Sequence, residues 1–202
     1  EDIDEQAERV TLINRIMHEA GLLDGKRITN PTDLLTEVMS RQQATLQSAS
    51  QTHTVRPISG FRVSNLFTGG SSALSLGEEI RREIASADEI CFIVSFLRVS
   101  GVRLLLNDLK TFCAREGTRL RIITTTYCGA TQAIEQLAEL PNTEIRISYN
   151  TDIERLHAKS YIFVRNSGMN TAYIGSSNLS KSAQTEGLEW NMRVTNVENQ
   201  HI

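Results

Sequence analysis

The segment RLHAKSYIFV, residues 155–164, carries a histidine and a lysine two positions apart in a stretch that otherwise has the pattern of a strand. Alternate side chains of a strand share a face, so His157 and Lys159 are predicted to project side by side, roughly 7 Å apart at a rise of ~3.3 Å per residue. A nearby ammonium disfavours the charged imidazolium, which keeps His157 neutral and nucleophilic. The ammonium of Lys159 attracts an anion, and a phosphate group would suit both side chains.

A second polar segment, GSSNLSKSA at residues 175–183, follows at the distance of a hairpin. Its pattern predicts a strand that ends at Gly175, a turn, and a short helix that begins near residue 178. Helix N-termini offer unpaired N–H groups and a partial positive charge to anions. We therefore predict that Asn178 acts on the phosphate together with Lys159. The predicted substrate contacts of this segment are Ser176, Ser177 and Ser180.

Three more residues are candidates for the same site. In LEWN, Glu189 and Asn191 share one face of the last predicted strand, and a carboxylate or amide beside a catalytic histidine fixes its tautomer and orientation. A solvated strand carboxylate would explain Glu189 equally well. Thr125 ends an earlier strand, where α/β sheets place ligand loops, although a hydroxyl at a strand end needs no ligand. Cys128 has no histidine partner placed by a motif, so it is not a predicted nucleophile.

The apolar pattern predicts the elements that must position these side chains. Ser75 and Glu78 form a capping box ahead of a helix, and the continuous apolar run EICFIVSF indicates a strand covered on both faces. Further helices are predicted at about 102–112, 130–140 and 178–185, and further strands at 119–126, 143–149, 157–164, 171–176 and 189–195. Strands that alternate with helices indicate an α/β fold with a mixed, largely parallel sheet flanked by helices.

The first 55 residues are predicted to form a separate helical leader and linker. Helical spacing of apolar residues covers most of residues 1–48, with a second helix beginning at Asn30 and Pro31. Residues 40–60 are rich in Gln, Ser and Thr, which indicates a linker. The second domain then spans residues 56–202. Because the chain opens on Glu1 and ends without a stop pattern, we expect it to be part of a longer protein.

Composition excludes some classes of protein. The net charge of −3 is unlike that of a free-standing nucleic-acid binder, which is usually basic. No apolar run approaches the ~18 residues of a membrane helix, and no metal-ligand spacing links the cysteines. Unpaired cysteines at positions 91, 113 and 128 favour a reducing, cytoplasmic compartment. Neither a metal nor another cofactor is predicted.

The pair HAK and GSSNLS resembles the HKD motif of the phospholipase D superfamily, in which H-x-K is followed by an Asp and then by G-S-x-N. Matching residues are His157, Lys159, Gly175, Ser176 and Asn178. The sequence departs from the pattern at Val164, where Asp is usual, and in a gap of ten residues before Gly175. The resemblance covers roughly residues 61–197, where the order of strands and helices is also similar, and it implies a phospholipase D-like fold.

The resemblance implies a metal-independent phosphodiesterase. In that family a histidine attacks phosphorus and forms a phosphohistidine, a second histidine protonates the leaving group, and water releases the product. This sequence has a single HKD motif, because His18, His53 and His201 lack an H-x-K context. Single-motif members pair two chains, so the resemblance implies a homodimer with one shared site.

Within the superfamily, ICFIVSFLRVSG and IITTTYCGATQ look like the nuclease-like domains joined to DEAD/DEAH-type helicases. That resemblance implies a nuclease module acting on DNA, with a helicase motor in the same chain. Two alternatives stay open. One is a phosphodiesterase for lipid or small substrates, although no amphipathic helix with a basic face indicates membrane binding. The other is a module without catalytic activity that binds phosphate or nucleic acid and dimerises.

Overall fold

The structure is a computed structural model that describes residues 3–21, 55–69, 75–126, 130–150, 155–185 and 188–199. Contacts within the chain define two units, residues 1–54 and 55–202, which are described separately. The first unit contains helix α1 (Ile3–Glu19), in which Val10, Ile13 and Met17 are half-buried. The predicted helix at Asn30 and most of the predicted linker lie outside the described residues. No described helix has the length and apolarity needed to span a bilayer.

The second unit is built around one seven-stranded sheet. Its helices are α2 (Leu76–Ser86), α3 (Val99–Cys113), α4 (Thr131–Ala138) and α5 (Lys181–Thr185). Its strands are β1 (Asn65–Phe67), β2 (Glu89–Val94), β3 (Arg119–Thr125), β4 (Thr143–Ser148), β5 (Lys159–Val164), β6 (Thr171–Gly175) and β7 (Asn191–Thr195). The strand order is β1-β7-β6-β5-β2-β3-β4. The predicted mixed α/β class is confirmed.

The sheet contains fewer parallel pairs than the sequence indicated. Only β2–β3 and β3–β4 are parallel, and the other four strand pairings of the described sheet are antiparallel. The parallel pairs are joined through α3 and α4, since a parallel connection needs a crossover. From β5 onward the strands are antiparallel to their neighbours, and β5 and β6 are joined by the short connection of residues 165–170. The sequence analysis did not predict strand β1. This strand is three residues long, lies at the edge of the sheet and pairs with β7, the last strand along the chain.

One face of the sheet carries the core. In β2 the side chains of Ile90, Phe92 and Val94 are fully buried, whereas those of Glu89, Cys91 and Ile93 are only half-buried. The second face of this strand is therefore less completely covered than the continuous apolar run indicated. The buried face packs against Ile80, Ile84, Leu105, Leu109 and Leu137 from the helices. Phe92 meets the rings of Tyr161 and Phe163 edge-on, at centroid distances of 5.1 and 6.1 Å.

One of the two hydrogen bonds of the predicted capping box is formed at the start of α2. Ser75 is the N-cap, and its Oγ accepts a hydrogen bond from the Glu78 backbone N–H at 3.5 Å. The carboxylate of Glu78 does not reach back to the cap but accepts from Arg82 Nε at 3.1 Å, one turn along the helix. The ion pair between Glu78 and Arg82 thus replaces the hydrogen bond that Glu78 would accept from the Ser75 backbone N–H in a complete capping box.

A fully buried carboxylate joins α2 to three strands. Glu83 accepts hydrogen bonds from Tyr173 Oη at 3.0 Å, Thr171 Oγ1 at 2.8 Å and Arg193 Nε at 3.1 Å, and also from Arg165 Nη2. Arg193 continues to the backbone carbonyls of Val63, at 3.0 Å, and Gly60. Burial lowers the pKa of Arg165, and Glu83 opposes that shift. A carboxylate this deep is tolerable because it accepts four hydrogen bonds, two of them from guanidinium groups.

Replacing this carboxylate is expected to destabilise the fold severely. Glu83→Gln leaves two buried guanidinium groups without a counter-charge, so the free energy of unfolding should fall by about 3–5 kcal/mol. The matched control is Glu78→Gln on the same helix, whose side chain is 44% exposed and whose loss should cost no more than about 1 kcal/mol. Urea unfolding followed by circular dichroism measures both. Equal losses in the two variants would show that the buried cluster does not stabilise the fold as argued.

Candidate active site

The predicted site residues gather at one edge of the sheet. The pairing directions bring the C-terminal ends of β2, β3, β4 and β6 to the same edge as the N-terminal ends of β5 and β7. Thr125 ends β3, Lys159 begins β5, and the GSSN turn follows β6. Glu189 precedes β7 at the same edge. Residues far apart in the chain therefore meet here because of the strand order.

His157 and Lys159 contact each other directly. The sequence predicted a strand that begins at His157, whereas β5 begins two residues later at Lys159, which pairs with Val94, so His157 lies just before the strand and is exposed. The Lys159 ammonium folds back and lies 3.0 Å from His157 Nε2 and 2.9 Å from the His157 carbonyl oxygen. An ammonium can only donate, so Nε2 accepts this hydrogen bond and the ring proton is on Nδ1.

The Lys159 ammonium is poorly solvated. The residue is only 7% exposed, and burial lowers the pKa of Lys159 from its ordinary value. Arg155 lowers that pKa further by charge repulsion, while the carboxylate of Glu189 opposes the shift. Glu189 is thus within electrostatic range of Lys159. An incoming anion would relieve the cost of a cation held in this position.

The amide of Asn178 is fixed in one orientation. Its Oδ1 accepts hydrogen bonds from Ser95 Oγ at 3.0 Å and from the Phe96 backbone N–H at 3.2 Å. The amide oxygen is therefore occupied, and Nδ2 remains as the donor side. The Ser95 backbone N–H also bonds to the Ala158 carbonyl at 3.0 Å. Ser95 thus links the Asn178 amide to the segment that carries His157.

Ser95 is a further residue of this cluster that the predicted site does not include. Its hydroxyl resembled any other polar group at the end of a strand, and the contact with Asn178 spans 83 positions of sequence. The sequence feature that could have drawn attention to Ser95 is its position directly after the apolar strand β2. Thr125 supports it, because Thr125 is buried and its Oγ1 donates to the Ser95 carbonyl at 2.7 Å. Thr125 therefore reaches the site through Ser95.

The GSSN turn packs very closely against its surroundings. A Cβ on Gly175 would lie 2.1 Å from the Trp190 carbonyl oxygen and 2.7 Å from the Asn191 Cα. On the other side, Leu97 forms a parallel bridge with Leu179, and a Cβ on Gly101 would lie 2.3 Å from the Leu179 carbonyl oxygen. These approaches leave room only for glycine, and they hold the turn between β7 and the start of α3.

The serines and the asparagine predicted as substrate contacts occupy different environments. Ser177 and Asn191 are buried and bond to each other, with Asn191 Nδ2 donating to Ser177 Oγ at 2.8 Å. Ser176 is exposed, and its hydroxyl donates to the Glu189 carboxylate. Ser180 Oγ accepts from the Ala183 N–H at 3.4 Å, at the start of the short helix α5. The structure therefore groups Ser176 and Glu189 with the exposed edge, and Ser177 and Asn191 with the interior.

The remaining histidines and Cys128 are not among the described residues of the second unit. His18 belongs to α1 in the first unit, whereas Cys128, His53 and His201 lie outside the described residues. Within the described ranges, no group of three His, Cys, Asp or Glu side chains could hold a metal ion.

The family follows from a comparison with known protein families. The model of the family described as "Cardiolipin synthase, PLD-like domain" matches residues 80–202, more than half of the chain. The chain belongs to the phospholipase D-like family. Its match begins within α2 and includes every residue of the candidate site. A comparison with curated protein sequences gave no match.

The comparison with solved structures found similar folds. NucT from Helicobacter pylori is 21% identical, with a TM-score of 0.50 over 67% of this chain and 87% of NucT. A phosphatidylserine synthase from Haemophilus influenzae is 14% identical, with a TM-score of 0.50 over 68% of this chain and 35% of the synthase. The phospholipase D family member Nuc from Salmonella typhimurium is 20% identical, with a TM-score of 0.49 over 68% of this chain and 87% of Nuc.

The position at which this phospholipase D-like chain departs from the HKD pattern lies away from the cluster. Val164 ends β5, pairs with Glu89, and is on the strand face opposite to Lys159. The buried carboxylate in this region is Glu83 instead, which bonds to the adjacent Arg165. The substitution of Asp by Val164 therefore leaves the contacts among His157, Lys159 and Asn178 intact.

The electrostatic link between Glu189 and Lys159 can be tested without any substrate. Glu189→Gln removes the negative charge that favours the ammonium, so the pKa of Lys159 should fall further below its ordinary value. NMR titration of isotopically labelled lysine side chains measures this pKa. The control is Glu198→Gln, an exposed carboxylate that contacts Ser64, which should leave the Lys159 titration unchanged. An unchanged or higher pKa in Glu189→Gln would contradict the assigned proximity.

Proposed function

We propose that this domain is a metal-independent phosphodiesterase that cleaves DNA through a phosphohistidine intermediate. The single observation that carries the proposal is the contact of 3.0 Å between the Lys159 ammonium and His157 Nε2. It pairs a neutral, exposed nucleophile with a poorly solvated cation. The amide of Asn178, linked to the same segment through Ser95, adds a neutral donor. Such donors suit a phosphate oxygen, and none of them requires a metal.

In the first step of the proposed reaction, the bound phosphodiester displaces the ammonium from the ring nitrogen. Lys159 and the Asn178 amide then hold the non-bridging oxygens, where negative charge develops. The lone pair of His157 Nε2 attacks phosphorus, the N–P bond forms, and the bond from phosphorus to the leaving oxygen breaks. The leaving oxygen takes a proton from a second histidine, which acts as the general acid.

In the second step, water replaces the histidine. The second histidine, now neutral, accepts a proton from water as the oxygen attacks phosphorus, and the N–P bond breaks. The product phosphate departs, and His157 Nε2 regains its lone pair. Glu189 supports both steps by stabilising the Lys159 ammonium, and Ser176 holds the Glu189 carboxylate. Ser177, Asn191 and Thr125 contribute through the turn and through Ser95.

The second histidine is proposed to come from a second copy of the chain. His18, the other histidine within the described residues, belongs to the separate first unit and lacks an H-x-K context. A two-fold dimer would bring the His157 of each copy to opposite sides of one phosphate, since an isologous interface presents the same surface twice. Both histidines of the reaction would then be His157, with the ring neutral in the copy that attacks phosphorus and protonated in the copy that donates to the leaving oxygen.

DNA is the proposed substrate, and a helicase motor is the proposed partner in the same chain. Both proposals rest on the likeness of the segments at 90–101 and 122–132 to helicase-associated nuclease domains. Because the net charge of this chain is −3, we propose that another domain supplies most of the affinity for nucleic acid.

We propose a cytoplasmic location because the two described cysteines do not form a disulfide. Cys91 and Cys113 are free, and burial raises the pKa of both thiols. Protonated, partly or fully buried thiols persist in a reducing compartment.

A lipid phosphodiester is the alternative substrate that a specific observation favours. The matching family is described as a cardiolipin synthase domain, and one of the similar folds is a phosphatidylserine synthase. In such a reaction an alcohol, rather than water, would attack the phosphohistidine. Assays with phosphatidylglycerol vesicles and with DNA in parallel separate the two substrates.

The proposed chemistry predicts DNA cleavage in the presence of EDTA. Nicking of plasmid DNA by the purified chain should persist with excess chelator and should fall at least about 10³-fold in His157→Ala, which lacks the nucleophile. His18→Ala, a histidine substitution in α1, is the matched control and should cleave like the unmodified chain. If the unmodified chain cleaves no phosphodiester, the site is a phosphate-binding module without catalytic activity. Cleavage that EDTA abolishes would contradict the mechanism.

If two chains share one site, an inactive chain should also abolish the activity of the active chain with which it pairs. If unmodified and His157→Ala chains are mixed equally, unfolded and refolded together, about one quarter of randomly paired dimers contain two active chains. Activity should therefore be about one quarter of that of an equal mixture with His18→Ala chains, in which every dimer is active, whereas independent sites would retain about one half. Sedimentation velocity should show the dimer at the same concentrations. Activity that simply follows the number of unmodified chains, from a species that sediments as a monomer, would contradict a shared site.

A further inference from the structure

A small cavity lies on the sheet face opposite to Lys159. In β5 the side chain of Lys159 is on the core face, and that of Ile162 is on the other face, where Ile162 pairs with Cys91 of β2. Cys91 pairs in turn with Arg121 of β3, and Arg121 pairs with Glu144 of β4. Directly paired residues share a face of a sheet. The cavity is formed where these three strands meet on the face away from the candidate site.

Arginine dominates the polar lining of this cavity. The cavity has a volume of about 140 Å³, and its polar lining consists of Arg119, Arg121, Arg146, Glu144 and Cys91. We call it the arginine pocket. A drug-sized ligand needs a pocket of roughly 300 Å³ or more, whereas an engineered cavity of about 150 Å³ holds a molecule as small as benzene. The arginine pocket therefore fits a group of a few atoms.

Two carboxylates pair with the three guanidinium groups. Arg146 Nε donates to Glu144 Oε1 at 2.7 Å, and Arg119 Nη2 donates to Glu144 Oε2 at 3.0 Å. Arg121 Nη2 lies 2.5 Å from Glu89 Oε1. The hydrogen bond from Arg146, and then that from Arg119, lower the pKa of Glu144, so its carboxylate is ionised at neutral pH. This cluster of five side chains therefore keeps one positive charge in excess.

The guanidinium groups retain donors for a further anion. Arg121 Nε is buried and has no hydrogen-bond acceptor within the described part of the chain. A buried donor without an acceptor costs free energy, which a ligand oxygen can recover. The side chains of Arg119 and Arg146 are 58% and 75% exposed, so their remaining N–H groups are accessible from solvent.

The strands hold the arginines at a spacing that suits a single anion. Arg119 and Arg121 are two positions apart on β3, and Arg146 of β4 pairs with Ile123 of β3. Alternate residues of a strand are about 7 Å apart, and neighbouring strands are about 4.8 Å apart. Arginine side chains are long enough to converge over such distances. The backbone that carries them belongs to the two parallel strand pairs of the sheet.

We propose that the arginine pocket binds one phosphate group, supplied by inorganic phosphate or by a small phosphomonoester. The planar fork of a guanidinium group matches two oxygens of a phosphate, and a phosphate has enough oxygens to meet three such forks. A carboxylate ligand is less suitable, because Glu144 already offers the two oxygens of a carboxylate to the same arginines. The excess positive charge of the cluster favours an anion over a neutral ligand.

The proposed pocket is separate from the candidate active site. Arg119 begins β3, whereas Thr125, at the edge that carries the candidate site, ends it. At ~3.3 Å per residue, these two ends are about 20 Å apart. The pocket also lies on the other face of the sheet from Lys159, and the two sites share no residue. The inference therefore does not depend on the proposed phosphodiesterase activity.

The direct test follows the arginine side-chain N–H signals of the full chain by ¹⁵N NMR. Inorganic phosphate, a nucleoside 5′-monophosphate and acetate are added separately at constant ionic strength. The Nε–H signal of Arg121, assigned by its loss in Arg121→Lys, should shift and saturate with both phosphate probes and stay unchanged with acetate. Saturation at a lower concentration of the monophosphate identifies a phosphomonoester as the ligand, and equal saturation identifies free phosphate. The absence of a shift with either phosphate probe, or an equal shift with acetate, would overturn the proposal.

Substitutions then assign the bound phosphate to the pocket. Isothermal titration calorimetry measures phosphate affinity in chains that all carry Lys159→Gln, so that the cation of the candidate active site does not contribute. Arg121→Gln should weaken binding about tenfold or more, because it removes one charged fork. The matched control is Arg81→Gln, which should bind like its parent. Arg81 is 44% exposed and paired with Glu78, whereas Arg121 is 42% exposed and paired with Glu89.

A gain of affinity separates the proposal from a mere loss of folding. Glu144→Gln removes the carboxylate that competes for Arg119 and Arg146, so it should tighten phosphate binding several-fold. A damaged fold cannot produce tighter binding. Weaker binding in Glu144→Gln, or equal losses in Arg121→Gln and Arg81→Gln, would contradict the proposal. So would phosphate binding that Lys159→Gln alone abolishes, since that binding would belong to the candidate active site.

Discussion

The candidate site depends on a carboxylate at the far side of the core. Glu83 is fully buried and binds Arg165 at the end of β5, Thr171 and Tyr173 in β6, and Arg193 in β7. These are the strands whose opposite ends carry His157 and Lys159, the GSSN turn, and Glu189 with Trp190. Because one charge must satisfy all its partners together, a shift in the register of any strand would leave a buried charge without a partner. The register that Glu83 enforces sets the geometry of the site.

The two clusters of charge in this domain differ in how completely they are paired. Around Glu83, two guanidinium groups and two hydroxyls surround one carboxylate. Lys159, by contrast, is nearly buried but bonds to a neutral imidazole and a backbone carbonyl, and no described carboxylate forms a salt bridge with it. Burial lowers the pKa of Lys159 for this reason. A paired buried charge stabilises a fold, whereas an incompletely paired one favours the arrival of an anion.

The edge of the sheet combines these features into one surface. Ser95 connects the end of β2 to the Ala158 carbonyl and the Asn178 amide, and the Leu97–Leu179 bridge extends the contact toward α3. These hydrogen bonds join the end of β2 to the two segments that carry His157 and Asn178.

The amino-acid sequence by itself determined most of the local elements and indicated the family. Periodicity located the main helices and six of the seven described strands, and the spacing of HAK and GSSN indicated the phospholipase D-like family, because both signals lie within short stretches of chain. The tertiary structure alone decided the largely antiparallel pairing, the short strand β1, the folding back of Lys159 onto His157, and the interior placement of Ser177 and Asn191. It also decided that Ser95 orients Asn178 and that Glu83 binds Arg193, contacts that span 83 and 110 positions. No local pattern encodes such pairs, since either partner alone looks like an ordinary polar residue until the strand order brings them together.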